Sequence, residues 1–409
     1  MRAWCESMNI LIHRYNSICE PDFIAAFQAL GLQVIEDREE MKCKEISAKE
    51  RMSALGRQIL EHRPLFVFSI NYFPYIALLC EKLHVLYVAV SVDCPVAELF
   101  DESIRSPYNR VFLFDRQQYL SIREENPGCI FHLPLGVNVE RIDETIGSFE
   151  RFAESPGYDY DISFVGSLYR EKDEYRQLCL ADEEKTRLDH LMEEQRPQPG
   201  LALLDEKMTE REVEAIRRAD PGFYSSRYSV RDIGRFWAID LYAGDHLTSL
   251  DRVDLLTRLA DAEPERQVHL FTRSDSSGMG NVVCHGGVNS LTEMPLVFRR
   301  SRINLNPTMR AIRAGLPQRI WDVLGSGGFL LSNAQEEIPD YLEIGKHLDV
   351  YETTAELIEK TGYWLTHEEQ RQEIACAGYT EVRKHHTVSE RVSQMIRVVY
   401  STMGSEESV

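Results

Sequence analysis

The sequence predicts an α/β protein built from two parallel sheets with helices on their faces. Three observations point there. Short apolar runs recur in both halves of the chain, separated by segments whose apolar residues have helical spacing. At 409 residues the chain is too long for one ordinary core and suits two domains of about 150–200 residues each. Between residues 170 and 262 the alternation stops and Glu, Arg, Leu and Ala dominate, which reads as a helical insertion in the second half.

In the first half, residues 9–13 read as a buried strand, 21–30 as a helix stopped by Gly31, and 32–35 as the next strand. The cycle repeats with a helix at 47–61, a strand at 65–69, a helix at 74–82 and a strand at 85–90, then strands at 111–114 and 130–133. Strands alternating with helices at this spacing pair in parallel. The half is Rossmann-like, yet no Gly-x-Gly-x-x-Gly follows the first strand, so dinucleotide binding is not expected here. Functional residues of a parallel sheet gather in loops beyond the strand C-termini. Three such loops are polar, 13–17, 69–72 and 91–95, and they nominate His13, Tyr15, Asn71, Tyr72 and Asp93. Asp93 lies just before Pro95 and is a candidate base for a hydroxyl proton. Capping the turn is its competing role. His13 ranks lower, because a lone histidine ending a strand is more often a satisfied structural one.

The second half opens with a strand at 161–165, followed by a glycine turn at a helix start, where Ser167 is placed as a cap. After the insertion, strands follow at 268–271, 282–284 and 303–305, and a last one at 347–351. Helices at 353–365, 367–385 and 387–402 close the chain. Polar strand-end loops here hold Arg273, His285, Gly286 and Asn306. Residues 314–333 read as loop, short helix, glycine turn and buried strand. Gly315 and Pro317 break the preceding segment, and Gly325, Gly327 and Gly328 end the helix. Arg319 and Asp322 then share a helix face. A helix start offers free amides to a phosphate, and Arg319 adds a bidentate donor. Asp322, one turn deeper, suits sugar hydroxyls. The bland alternative is a surface ion pair.

This stretch resembles the signature of the CgeB/YkvP-type (spore-maturation) glycosyltransferases. Their pattern runs Gly-x-Pro-x-Arg-x-Phe/Trp-Asp/Glu, a small-residue turn, then Gly-Gly-Phe-Leu-Leu. The resemblance extends through His285-Gly286, Asn304-Leu-Asn306-Pro-Thr308, Arg310, Gly315 and Pro317. It implies a GT-B fold, with two Rossmann-like domains facing across a cleft. The implied boundaries are 1–137 for an acceptor-side domain, 138–160 for a linker, 161–386 for a nucleotide-sugar domain, and 387–409 for a tail helix returning to the first domain. It implies donor contacts from Gly166, Ser167, Arg273, His285, Gly286, Asn306, Arg310, Pro317, Gln318, Arg319 and Asp322. Tyr15, Asn71, Tyr72 and Asp93 fall on the acceptor side, with Asp93, His13 and Arg319 as the catalytic candidates. In one respect the chain departs from the pattern. Many retaining GT-B enzymes carry Glu-x7-Glu, and here Asp322 takes the second place while Ala314 stands at the first. Donor sugar and stereochemical outcome stay open.

The implied activity is sugar transfer from a nucleotide-diphosphate donor, a UDP-sugar first among them, to a hydroxyl of a glycan or protein acceptor, without metal or cofactor. Asp159-Tyr160-Asp161 precedes a strand rather than following one, which argues against a metal-binding Asp-x-Asp. Sugar-nucleotide epimerisation and non-catalytic binding are the rival readings. A formal net charge of -20 argues against nucleic acid as a partner. Nine scattered cysteines, never paired as Cys-x-x-Cys, fit a reducing cytoplasm. No apolar run is long enough to span a membrane, leaving a peripheral membrane location and homo-oligomerisation open. Residues 1–7 read as an extension and 404–409 as a frayed end.

Overall fold

The computed structural model describes residues 8–42, 47–151, 157–224 and 226–403. The extension at 1–7, the frayed end at 404–409 and positions 152–156 of the expected linker lie outside them. The chain forms two compact units. The first runs to Asn138, takes in Tyr228–Arg231 and resumes at His386; the second holds Val139–Arg227 and Asp232–His385.

The first sheet has six parallel strands: β1 (Asn9–His13), β2 (Gln33–Asp37), β3 (Phe66–Ile70), β4 (Leu86–Ser91), β5 (Asn109–Leu113) and β6 (Ile130–His132). Their order is β2-β1-β3-β4-β5-β6. β3 and β5 are buried along their whole length, as strands covered on both faces must be. One face packs Ile10, Ile12, Phe68 and Val88 against Phe27 of the Glu20–Ala29 helix. Val392, Met395 and Val399 of the Val388–Met403 helix complete that core. Val137 and Thr387 pair as a parallel bridge where the chain leaves and re-enters this unit.

The second sheet is also six-stranded and parallel: β7 (Tyr160–Val165), β8 (Val268–Phe271), β9 (Val283–His285), β10 (Ser301–Asn306), β11 (Leu330–Asn333) and β12 (Asp349–Tyr351). Their order is β12-β11-β10-β7-β8-β9. Residues 138–160 are not simply a linker, because they open with the helix Val139–Glu150. Its apolar positions Val139, Ile142 and Ile146 recur at helical spacing and are buried.

Helices do fill 170–262, and part of that region packs a core of its own around Tyr175, Leu188, Met192, Leu204, Ile216 and Tyr242. The charges there are not all solvated, as the sequence suggested. Asp173, Glu212, Asp240, Asp245 and Arg252 are buried. The long helix Gly244–Ala262 belongs to the sheet as well, since Leu255, Leu256 and Leu259 join Ile162, Phe164 and Leu305 in its core.

Candidate functional site

A doubly wound parallel sheet opens a crevice where its strand order reverses, beyond the strand C-termini. In the second sheet the chain moves outward from β7 through β8 to β9, then returns to β10 and moves the other way. The reversal therefore lies between β7 and β10. Gly166 follows β7, Asn306 ends β10, and Arg319 stands near the start of the Gln318–Gly325 helix with Pro317 as its N-cap. Sequence positions far apart thus meet at one strand boundary.

Arg319 Nε donates to Val165 O at 2.7 Å, and Nη1 donates to Asn306 Oδ1 at 3.0 Å. Nη2 has no hydrogen-bond partner among the described residues and lies against Gly166. A Cβ at position 166 would collide with it, so only glycine leaves the guanidinium its place. Asn306 is held by its amide, which donates to Thr308 Oγ1 at 3.0 Å and Ser332 Oγ at 2.9 Å.

A second arginine completes the arrangement. Arg252 is 4% exposed, and all its contacts are neutral: Nε and Nη2 donate to Pro307 O, and Nη1 donates to Ser167 O at 2.7 Å. The Phe164 ring lies 4.8 Å from the Arg319 guanidinium and 5.3 Å from that of Arg252, while Tyr169 takes the Arg252 cation at 4.8 Å. Neither arginine forms an ion pair among the described residues. Burial, then the neighbouring Arg252 cation, pushes Arg319 down to about 9. Burial likewise lowers Arg252. The two cations hydrogen-bond only to carbonyl oxygens and lie on π faces, with the carboxylates of Asp322, Asp245 and Asp251 acting on them from beyond ion-pair distance.

Other nominated residues divide. Ser167 caps no helix, because a turn rather than a helix follows β7. Its hydroxyl accepts from Tyr169 N–H at 2.7 Å and donates to Glu171 at 2.7 Å. Gln318 Nε2 donates to Asp322 Oδ1 at 2.9 Å, one turn along the same helix, and the Asp322 side chain is buried. Arg310 does not reach the pocket. Its guanidinium is occupied by Asp251 and by the carbonyls of Arg196, Gln198 and Gly200, so it fastens a turn of the helical region. Arg273, His285 and Gly286 gather at the ends of β8 and β9. Arg273 is exposed and packs on Gly287; His285 stacks on Phe271 at 4.4 Å and meets His269 Nδ1 at 3.0 Å, with burial lowering its pKa. Ala314 is fully buried, so no side chain there serves a sugar. Asp159 pairs with Arg300, and Asp161 with Arg266 and Arg302. Among the described residues no group of three His, Cys, Asp or Glu is arranged to hold a metal ion.

The first sheet reverses between β1 and β3. His13 ends β1 and is 2% exposed, with Nδ1 at 2.9 Å from Asp37 and Nε2 at 2.9 Å from the Tyr75 hydroxyl. Burial works against its charge, but the bonds to Asp37 and Glu40 outweigh it and hold its pKa above the ordinary value. Tyr72 is no surface residue. It is buried, hydrogen-bonded to Ser103 at 2.8 Å and within reach of Asn109, because its aromatic body fills the layer under the loop. Tyr15, Asn71 and Asp93 do come together: Asn71 Nδ2 donates to Asp93 Oδ2 at 2.7 Å and to Tyr15 OH at 3.1 Å. Burial pushes Tyr15 up to about 12. Asp93 is exposed.

Two functional candidates escaped the sequence reading. Arg252 sits four residues before Leu256 and seven before Leu259, on an apolar helix stripe; an arginine there is the signal that was available. Asp245, two turns earlier, is 5% exposed, and its Oδ1 has no hydrogen-bond partner among the described residues. Burial pushes its carboxyl up to about 7.

Residues 252–397 match the family model for glycosyl transferase-like proteins. No curated protein was found to match the sequence. Solved structures share the fold at low identity. A glycosyltransferase from Rickettsia africae is 10% identical, with a TM-score of 0.51 over 97% of this chain and 99% of its own. HepE of Anabaena, in complex with UDP and glucose, is 8% identical, with a TM-score of 0.54 over 96% and 100%. Sucrose-phosphate synthase from Thermosynechococcus elongatus is 9% identical, with a TM-score of 0.57 over 96% and 99%. The chain therefore has the two-domain GT-B fold, and the part that carries both arginines carries the glycosyl transferase-like pattern.

Proposed function

We propose that the protein is a glycosyltransferase that moves a sugar from a nucleotide-diphosphate donor, first among them a UDP-sugar, to a hydroxyl of a bacterial glycoconjugate or protein. One observation carries the reading: Arg252 and Arg319, without counter-ions, meet at the switch point of the second sheet. The match of residues 252–397 to a glycosyl transferase-like family supports it, as does the UDP bound by a protein of like fold.

In this reading the diphosphate is the anion the arginine pair lacks. Charge grows on the leaving diphosphate as the glycosidic bond breaks, and preformed donors at that point stabilise the transition state. Arg319 Nη2 and the amides at the start of the Gln318–Gly325 helix supply them, so the reading needs no metal ion. His285 and Arg273 flank the nucleoside, and Asp322 takes sugar hydroxyls. Asp93, oriented by Asn71, is the base for the acceptor hydroxyl. The CgeB-type relationship makes a cell-surface, spore or flagellar acceptor the first to try.

Calorimetric titration with UDP, GDP and dTDP tests the reading, with UDP expected to bind best. A folded sample that binds none of them ends it. Incubation with a UDP-sugar alone is expected to release UDP slowly; an epimerised UDP-sugar points to the epimerase instead. Asp93→Asn is expected to lower turnover by about 10²–10⁴-fold while UDP affinity holds.

A further inference from the structure

We propose that Asp245 is a positioning residue of the donor site that acts through Arg252: its carboxyl takes a proton from solvent when a diphosphate settles at the arginine pair. Donor affinity then falls as the solution turns alkaline. This rests on the donor reading above and adds the group that tunes the site.

Asp245 stands second in the Gly244–Ala262 helix, seven residues before Arg252. Seven residues make two turns, so both side chains leave the same helix face, about 10 Å apart along its axis. The chain enters this helix through the π-helical turn Ala238–Ala243, a rare feature that recurs at functional sites. Other carboxylates of the region are matched. Asp173 is bound by His246 Nδ1 at 3.0 Å and Arg176 Nε at 2.9 Å, Asp240 by Arg313 at 2.8 Å, and Asp251 by Arg310 at 2.7 Å. Asp245 is 5% exposed, and its Oδ1 has no hydrogen-bond partner among the described residues.

The charges that act on Asp245 come from two segments. The turn after β7 brings Lys172, Asp173 and Glu174, and its own helix brings Arg252. Lys172 and Arg252 both rest on the Tyr169 ring, each 4.8 Å from its centroid. Lys172 is exposed to water, whereas Arg252 is the buried neighbour of Arg319. Burial outweighs both cations and pushes the Asp245 carboxyl up to about 7. The sign follows from charge. With Asp245 protonated, Arg252 gives its whole charge to an anion at Arg319. Once ionised, the carboxylate shares Arg252 and opposes the diphosphate. Affinity is therefore greatest below pH 7 and falls as pH rises through it.

Calorimetric titration of the full chain with UDP at pH 6 and pH 8 tests this. The quantity read is the ratio of parent to Asp245→Asn dissociation constants, in which the ionisation of UDP itself cancels. The two proteins are expected to bind alike at pH 6, and the parent about fivefold more weakly than the variant at pH 8. Asp245→Ala is expected to repeat the asparagine result, so the comparison does not hang on one replacement. His246→Gln, which removes the adjoining histidine, is expected to behave as the parent does. A ratio that is the same at both pH values overturns the proposal and leaves the donor reading standing. So does a parent that binds more tightly than Asp245→Asn at pH 8, or a pH dependence that disappears in His246→Gln instead. A folded parent that binds no UDP at either pH overturns both.

Discussion

The two sheets share a strand-order reversal but treat charge at that point in opposite ways. Beyond β1 and β3, His13 is matched by Asp37 and Glu40, and Arg14 by Glu20 and Glu36. Beyond β7 and β10, Arg252 and Arg319 are neighbours that form no ion pair among the described residues, with Asp245, Asp251 and Asp322 acting only from longer range. A buried ion pair returns part of its desolvation cost, whereas an unmatched buried charge is a standing cost to the fold. The same topology thus gives an ion-paired network in one unit and two buried arginines without ion pairs among the described residues in the other.

The contrast can be broken in order of expected effect. Asp245→Asn comes first. Because the folded value of Asp245, about 7, lies above the ordinary 3.8, its stabilising contribution is present below pH 4 and lost as pH rises through 7. At about 1.4 kcal/mol per pKa unit, the asparagine variant should be more stable than the parent by a few kcal/mol at pH 9, with no gap near pH 4, by denaturant titration. Next, Arg319→Ala should weaken UDP binding by about 100-fold, the worth of lost charge-assisted hydrogen bonds of about 2–3 kcal/mol. A loss under threefold would show that the anion lies elsewhere. On the ion-paired side, His13→Gln should cost about 1–3 kcal/mol at pH 6. His13 has a raised folded value, so its contribution is complete below 6.5 and fades as pH climbs through that raised value; the deficit of the variant should shrink accordingly. Smallest is Arg252→Met, expected to weaken UDP binding by about tenfold while the ligand-free melting temperature stays level or rises. A fall in that temperature would mean Arg252 is a structural ion after all.

Much of the fold was legible. The apolar runs at 9–13, 65–69 and 268–271 lie within one residue of β1, β3 and β8, because strands buried on both faces must be apolar throughout. The Gln318–Gly325 helix was readable from Pro317 and the glycines behind it. Side-chain destinations were not. Tyr72 and Asn71 are neighbours in a polar loop, yet one is buried and the other links Tyr15 to Asp93. Arg310 and Arg319 have the same chemistry, and only the positions of Asp251 and Val165 send them to different partners.

By itself the sequence determined where strands and helices form and that a phosphate-ready helix start carries an arginine, since propensity, capping and periodicity act over a few neighbouring residues. Only the tertiary structure decided which charges lose their counter-ions. Arg252 joins Arg319, and Asp245 loses its partners, through packing among segments distant in the chain, and electrostatic energy depends on those distances and on burial.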